Sequence, residues 1–456
     1  MLPRNSISRT AQKAIRQQWQ PANRRGLAAP ASGSFQYESG DAKGVKFASR
    51  DMAGPTTQLA IVSKAGTRYE PLPGLTLGLR GYAFKNTEKR SALRIQREAE
   101  LLGSELFTNH TREGLVVGAK FLRDDLPYFV ELLAEVASQT KYAPHVFHEE
   151  IEHVIDLQRK KLLGSVKELA TNSAFGLAFH RGLGEPLFPS SSIPLSKYLD
   201  AETIADFAAS AYAKPNFAVV ANGVESGELS KWVNQFFTDV PSQSKMSIEN
   251  TKTEYYGGEE RIAHASGNAM VIAFPGSSLP NGDSYKPEIS VLAALLGGQS
   301  TIKWSPGFSL LSKAGAKFPG ATIETDSNIF SDAGLLTVTL TGAAKDVRGA
   351  AAEVVKTLEQ VAQGVSKEEF SKARALAKFK ELEFGQSTSA GLELTGSSLV
   401  QSSKPYQIDD VAKGYEGVTE QSVKQAAKTL LEGKASVSTV GDLYVLPYAA
   451  EVGLKV

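Results

Sequence analysis

The chain has 456 residues, 42% hydrophobic and 22% charged, an ordinary globular composition with length enough for two to four domains. It contains no cysteine, which excludes a disulfide framework, cysteine-based zinc fingers, iron–sulfur ligation and thiol catalysis. The net charge of +1 is unevenly spread: residues 1–33 hold six basic residues (Arg4, Arg9, Lys13, Arg16, Arg24, Arg25) and no acid, leaving 44 basic against 49 acidic residues beyond them.

A basic, acid-free N-terminus rich in Ser, Gln and Ala has the composition of a mitochondrial transit peptide, and residues 1–33 are expected to be one. Residues 12–19 place Ile15 and Trp19 on one helical face with Lys13 and Arg16 beside them. No apolar run approaches the ~20 residues that span a bilayer.

From residue 44 the pattern is strand-like, with a short strand at 45–49 and a β-branched apolar one at 56–65. Residues 91–102 have helical periodicity, with Leu93, Ile95, Ala99 and Leu102 as the expected core face. Two strands follow at 105–109 and 114–121, then a helix at 124–140 with Leu126, Phe129, Leu133 and Val136 in phase. A second helix is expected at 144–161, a Gly/Pro-rich loop at 181–194, a helix at 196–212 and a buried strand at 217–221. The second half repeats this order. It has one or two strands at 261–274, a helix at 285–296 and strands at 321–325 and 335–341. Helices at 345–363 and 366–384 follow, then a helix from Thr419 and a strand at 435–440. Asp200 and Thr419 each stand as the cap of a helix that leads to a strand and then to a glycine, Gly223 and Gly441. The expected class is α+β, in two homologous halves of about 200 residues. Each half is a mainly antiparallel sheet with helices packed on one face. The expected divisions are a leader at 1–33, halves at 34–240 and 255–456, and a linker at 241–254.

Residues 74–87 read GLTLGLRGYAFKNT and run into a helix ending in Leu-Gly-x-x-Leu. With Gly66-Thr67-Arg68-Tyr69-Glu70, Leu295-Leu296-Gly297-Gly298 and Phe330-Ser331-Asp332-Ala333-Gly334-Leu335, this grammar resembles the pitrilysin-type peptidases, the family of the mitochondrial processing peptidase. The similarity covers roughly residues 35–450. In active members the helix carries His-x-x-Glu-His, which supplies two imidazoles for zinc and a carboxylate base for its water. Here the matching positions are Leu77, Arg80 and Gly81. The distant carboxylate ligand falls near Gln158. Leu77 has no lone pair, Arg80 is a permanent cation and Gly81 has no side chain. No catalytic, cofactor-binding or metal-binding residue is therefore expected. Phe330 stands where active members usually have a substrate-contacting Tyr.

Residues 145–153 imitate a metal motif, with His145, His148, Glu149, Glu152 and His153 close together. Pro144 marks a helix start, where glutamates suit the positive end of the dipole, so a solvated helix terminus is expected. His110, His180 and His264 are read as structural. No phosphate loop, nucleophile elbow or RNA-binding pattern is present. The loop at 297–307, with Trp304, reads either as a partner contact or as a plain connection.

The family has two non-catalytic branches. One is the α-type subunit of the processing peptidase, which binds presequences and carries a long glycine-rich loop. This loop has only two adjacent glycines, closer to the core-protein branch in the cytochrome bc1 complex (ubiquinol–cytochrome c reductase). That resemblance implies a matrix-side, peripheral subunit of respiratory complex III at the mitochondrial inner membrane, without haem or metal of its own. It would support assembly and stability of a dimeric complex that carries electrons from ubiquinol to cytochrome c. Its partners would be core protein 1, cytochrome b, cytochrome c1 and the iron–sulfur protein, with no nucleic acid.

Overall fold

A computed structural model describes residues 36–456 apart from 53, 190–193, 195–196, 247, 249–250, 300–306, 388 and 390. The basic segment 1–33 and Trp304 of the 297–307 loop lie outside the described residues.

The first sheet has six strands: β1 (Glu38–Ala42), β2 (Val45–Arg50), β3 (Thr56–Ser63), β4 (Glu105–His110), β5 (Leu115–Leu122) and β6 (Phe217–Asn222), in the order β1-β2-β6-β3-β5-β4. The second has five: β7 (Gly258–Ala263), β8 (Asn268–Pro275), β9 (Ala321–Ile329), β10 (Gly334–Gly342) and β11 (Ser436–Gly441), in the order β7-β11-β8-β10-β9. Without β1, the two orders are the same. Each sheet is antiparallel except for one parallel pair, β2 with β6 and β7 with β11, at equivalent places.

The helices of the first half are α1 (Leu75–Tyr82), α2 (Ala92–Leu101), α3 (Leu126–Ser138), α4 (Glu152–Gly164), α5 (Val166–Phe179), α6 (Ala201–Ala211) and α7 (Ser226–Phe236). Those of the second are α8 (Pro287–Leu296), α9 (Leu310–Gly315), α10 (Ala344–Gln363), α11 (Lys367–Gln386), α12 (Leu392–Ser402), α13 (Ile408–Gly414) and α14 (Glu420–Glu432). Asp200 and Thr419 both close capping boxes, with Thr203 and Ser422. Gly223 and Gly441 leave their strands with φ of 87° and 131°, where a β-carbon would strike the start of the adjacent strand. The internal repeat therefore extends to single residues.

Successive strand residues point to opposite faces, and the central strands are buried on both. In β8, Met270, Ile272 and Phe274 enter one core, while Ala269, Val271 and Ala273 enter another. The large residues meet α8, α10 and α14 of their own half. The small ones meet Ala170, Ala174, Phe175, Ala178 and Phe179 of α5, a helix of the other half. The exchange is reciprocal. Ala48, Ala60, Val62, Val116, Ala218 and Val220 of the first sheet pack against Leu392 and Leu399 of α12, from the second half. Each sheet thus has its own helices on one face and a helix of the other half on the other face.

Most expected elements are present within a few residues. The α3 face at Leu126, Phe129, Leu133 and Val136 is buried throughout. Leu93 is a correction: it is 60% exposed. Ile95 and Ala99 set the inward face of α2, and Leu93, two residues before Ile95, points about 200° away. Strand β1 and helices α5, α7, α9, α12 and α13 lie outside the expected elements.

Candidate functional site

Helix α1 starts at Gly74, whose φ of 98° is left-handed, and Glu70 caps it by accepting the Thr76 N–H at 3.0 Å. Burial, set against hydrogen bonds from the Thr76 and Gly74 backbone, pushes the Glu70 carboxyl up to about 7. Two glycines let the helix lie in a tight slot. A β-carbon on Gly78 would strike Ile204 of α6, and one on Gly81 would strike Ile151. Ile151 ends a π-turn, Phe147–Ile151, which joins the short helix Pro144–Val146 to α4.

Leu77, Arg80, Gly81 and Gln158 meet on one cavity of about 210 Å3, shared with Lys85, Thr108, Glu150, Ile151, Val154 and Ile155. The structure therefore brings Gln158 of α4 to the α1 residues it was matched with. These positions do not fit a zinc ion. One is aliphatic, one has no side chain, one is an amide, and the fourth is a guanidinium that repels a dication. Arg80 NH1 donates to His110 Nδ1 at 3.3 Å, and Nε donates to Thr108 Oγ1 at 3.5 Å. His110 Nε2 in turn donates to the Leu187 carbonyl at 3.0 Å. Nδ1 thus accepts while Nε2–H donates, the pattern of a neutral ring, and burial lowers the His110 pKa, with the Leu187 bond opposing and the Arg80 charge adding to the lowering.

The His145–His153 segment lies on an exposed face. There His148 pairs with Glu152 at 3.3 Å and Lys85 with Glu150. Among the described residues no group of three or more His, Asp or Glu side chains is placed to hold a metal. His180 stacks on Tyr256 at 4.1 Å, and His264 Nε2 donates to the Leu163 carbonyl at 2.9 Å. Both contacts join one half to the other.

A larger cavity of about 500 Å3 lies beside His110, lined by Arg112, Lys167, Asn172, Phe175 and Phe330 among others. Phe330 sets its ring edge-on to Phe175 at 5.9 Å and has no hydroxyl to offer.

Sequence reasoning missed a buried polar clasp between the halves. Arg68 pairs with Glu113 at 2.7 Å and with both oxygens of Asp332 at 2.7 and 2.8 Å. Arg68 also donates to the Thr251 carbonyl at 2.9 Å. Asp332 accepts the Thr253 N–H at 3.0 Å, and Glu113 accepts the Ser331 N–H at 2.9 Å. Burial alone would raise the Asp332 pKa, but its bonds to Arg68 hold it below the usual carboxylate range. The signal was present: Gly66-Thr67-Arg68 and Phe330-Ser331-Asp332 were two of the motifs that carried the resemblance.

The fold defines a peptidase-type scaffold of two like-built halves, and the cavity at Leu77, Arg80, Gly81 and Gln158 has no donor set for a metal. Residues 46–176 match the family model described as Insulinase (Peptidase family M16), and residues 198–376 match the one described as Peptidase M16 inactive domain. The chain is 52% identical to the cytochrome b-c1 complex subunit 2, mitochondrial, of Neurospora crassa, over the full length of both. It is 34% identical to the protein of that name from Schizosaccharomyces pombe, over 92% of this chain and 95% of the other. The mitochondrial-processing peptidase subunit alpha-2 of Dictyostelium discoideum is 26% identical, over 86% of this chain and 88% of its own. The chain belongs to the family of cytochrome b-c1 complex subunit 2, within the M16 peptidases. It is a non-catalytic member of that peptidase group.

Proposed function

We propose that the chain is a core subunit of mitochondrial respiratory complex III, kept for its shape and surfaces. The observation that carries this reading is the 52% identity over the whole chain to a cytochrome b-c1 complex subunit 2. The residues Leu77, Arg80, Gly81 and Gln158 support it, because their side chains do not make up the donor set of a peptidase zinc site. Among the described residues no helix is long and apolar enough to cross a membrane. Attachment to the inner membrane is therefore through partners, and we place the chain on the matrix side. There it pairs with core protein 1 and supports cytochrome b, cytochrome c1 and the iron–sulfur protein in a dimeric complex. Residues 1–33 direct import, and residues 241–254 link the halves.

Purification of the native assembly tests this. Co-isolation with b- and c-type haem is the expected result, together with loss of assembled complex when the chain is depleted. A soluble, haem-free heterodimer that cleaves presequences would overturn it.

A further inference from the structure

We propose that the cavity at Leu77, Arg80 and Gln158 is a binding site for one small oxyanion, a carboxylate or phosphate group, with the Arg80 guanidinium as its counter-charge. The proposal does not depend on assembly into a complex.

Arg80 is half-buried, and its hydrogen bonds go to two neutral acceptors, Thr108 Oγ1 and His110 Nδ1. His110 adds no negative charge there: its Nε2–H is spent on the Leu187 carbonyl, so Nδ1 carries only a lone pair. Among the described residues no carboxylate lies within 4.0 Å of the Arg80 guanidinium, and its NH2 has no hydrogen-bond partner. Arg112, like Arg80, has only neutral acceptors, but three of them (the Leu183 and Glu185 carbonyls and Asn172 Oδ1) take up its NH groups; two other arginines are paired with carboxylates. Arg68 has Glu113 and Asp332; Arg90 has Glu98, Glu131 and Glu135. Burial lowers the Arg80 pKa, and no acidic neighbour opposes it. A half-buried cation without a counter-ion is costly, and an anion in the cavity offsets that cost.

The space and a second polar group are present. The cavity of about 210 Å3 far exceeds the ~10–15 Å3 that holds a single water. Gln158 Oε1 is buried there without a partner. Rotation of the amide puts Nε2–H2 in its place, a donor for the same anion. Lys85 and Glu150 also line the cavity, but they are bonded to each other, so their charges balance. The net excess is one positive charge, which fits a single anionic group. The flat guanidinium fork matches a carboxylate or phosphate edge.

The purified full chain is titrated with inorganic phosphate and, separately, with acetate, against chloride at matched ionic strength. We expect a saturable rise in Tm of about 1–3 °C with at least one of the two. It should vanish in Arg80→Gln and survive in part in Arg80→Lys. No saturable rise beyond chloride, or an equal rise in Arg80→Gln, overturns the proposal. If Arg80→Gln does not fold, Gln158→Leu takes its place: an apparent Kd at least threefold weaker supports the site, and an unchanged one overturns it. Cryo-electron microscopy of the native assembly separates the two sources. A discrete ion on Arg80, or a carboxylate of a neighbouring subunit on Arg80, each supports the proposal and identifies the occupant. Water alone there overturns it.

Discussion

At position 81 a side chain of any size meets Ile151, whose γ-carbons lie 2.8 and 3.0 Å from where a β-carbon would stand. Restoring the metal motif at this position therefore conflicts with packing. Gly81→His is expected to lower stability by about 1–3 kcal/mol through overpacking. Denaturant unfolding checks this, and adding Ile151→Ala should recover part of the loss. An undiminished midpoint in the single variant would show that the slot is looser than Ile151 implies. Glu70, at the other end of the same helix, makes a pH-dependent contribution. Its folded pKa of about 7 lies above the ordinary 4.5, so the folded state holds the proton more tightly. This group therefore favours folding most below pH 4.5, and its contribution falls as pH rises to about 7. Glu70→Gln keeps an oxygen for the Thr76 N–H and removes the ionisation. It should stabilise the protein more at pH 8 than at pH 5, as read from unfolding midpoints at the two values.

Helices α5 and α12 show which elements were legible in the sequence and which were not. A helix such as α3, on a surface between core and water, displays Leu126, Phe129, Leu133 and Val136 in phase and is read easily. The crossing helices lie flat on a sheet and need small residues for close approach. In α5 these are Ala170, Ala174 and Ala178; α12 reads LELTGSSLVQS, which has the composition of a loop. Propensity disfavours Gly396 inside a helix, but tertiary space requires it, since a β-carbon there would collide with Val62 of β3. Gly396→Ala should cost about 1–3 kcal/mol despite the better helix former, and Val62→Ala in the same chain should relieve it. Thermal unfolding of the three variants decides. The same limit governed the sites. Leu77, Arg80 and Gly81 share one helical turn or so and were legible together, and Gln158 was reached through its match to a known pattern. The Arg68–Asp332 contact joins positions 264 apart, and no local period marks it. Its two motifs were visible only as separate strings.

Across the whole molecule, the exchanged helices and the clasp bind the halves into one folding unit. Arg68 and Glu113 are almost wholly buried, so Arg68→Met leaves two carboxylates without their cation and should cost about 3–5 kcal/mol. Neutralising all three, with Glu113→Gln and Asp332→Asn, should regain most of it, because the isolated charges are what cost. The Asp332 contribution has a fixed sign: its folded pKa is depressed, so its stabilisation is present above the ordinary value of 3.8 and is lost as pH falls through the folded value. The exchange of helices makes a stronger demand. Residues 34–240 alone would expose the outer face of their sheet, Ala60, Val62, Val116 and Val220, where α12 belongs. They would also project Phe175 and Phe179 of α5 into water, without the sheet they cover. Residues 255–456 alone would have the reciprocal bare face. Neither half can hide these surfaces by itself, and exposed apolar areas of that kind promote association. Each half expressed alone should therefore be insoluble or lack a cooperative transition. The two co-expressed should recover a 1:1 complex that unfolds at a single midpoint, seen by size-exclusion chromatography and circular dichroism. A monomeric half with its own sharp transition would show that the borrowed helix is dispensable. The halves would then be separate domains held by a linker, not one core that crosses itself twice.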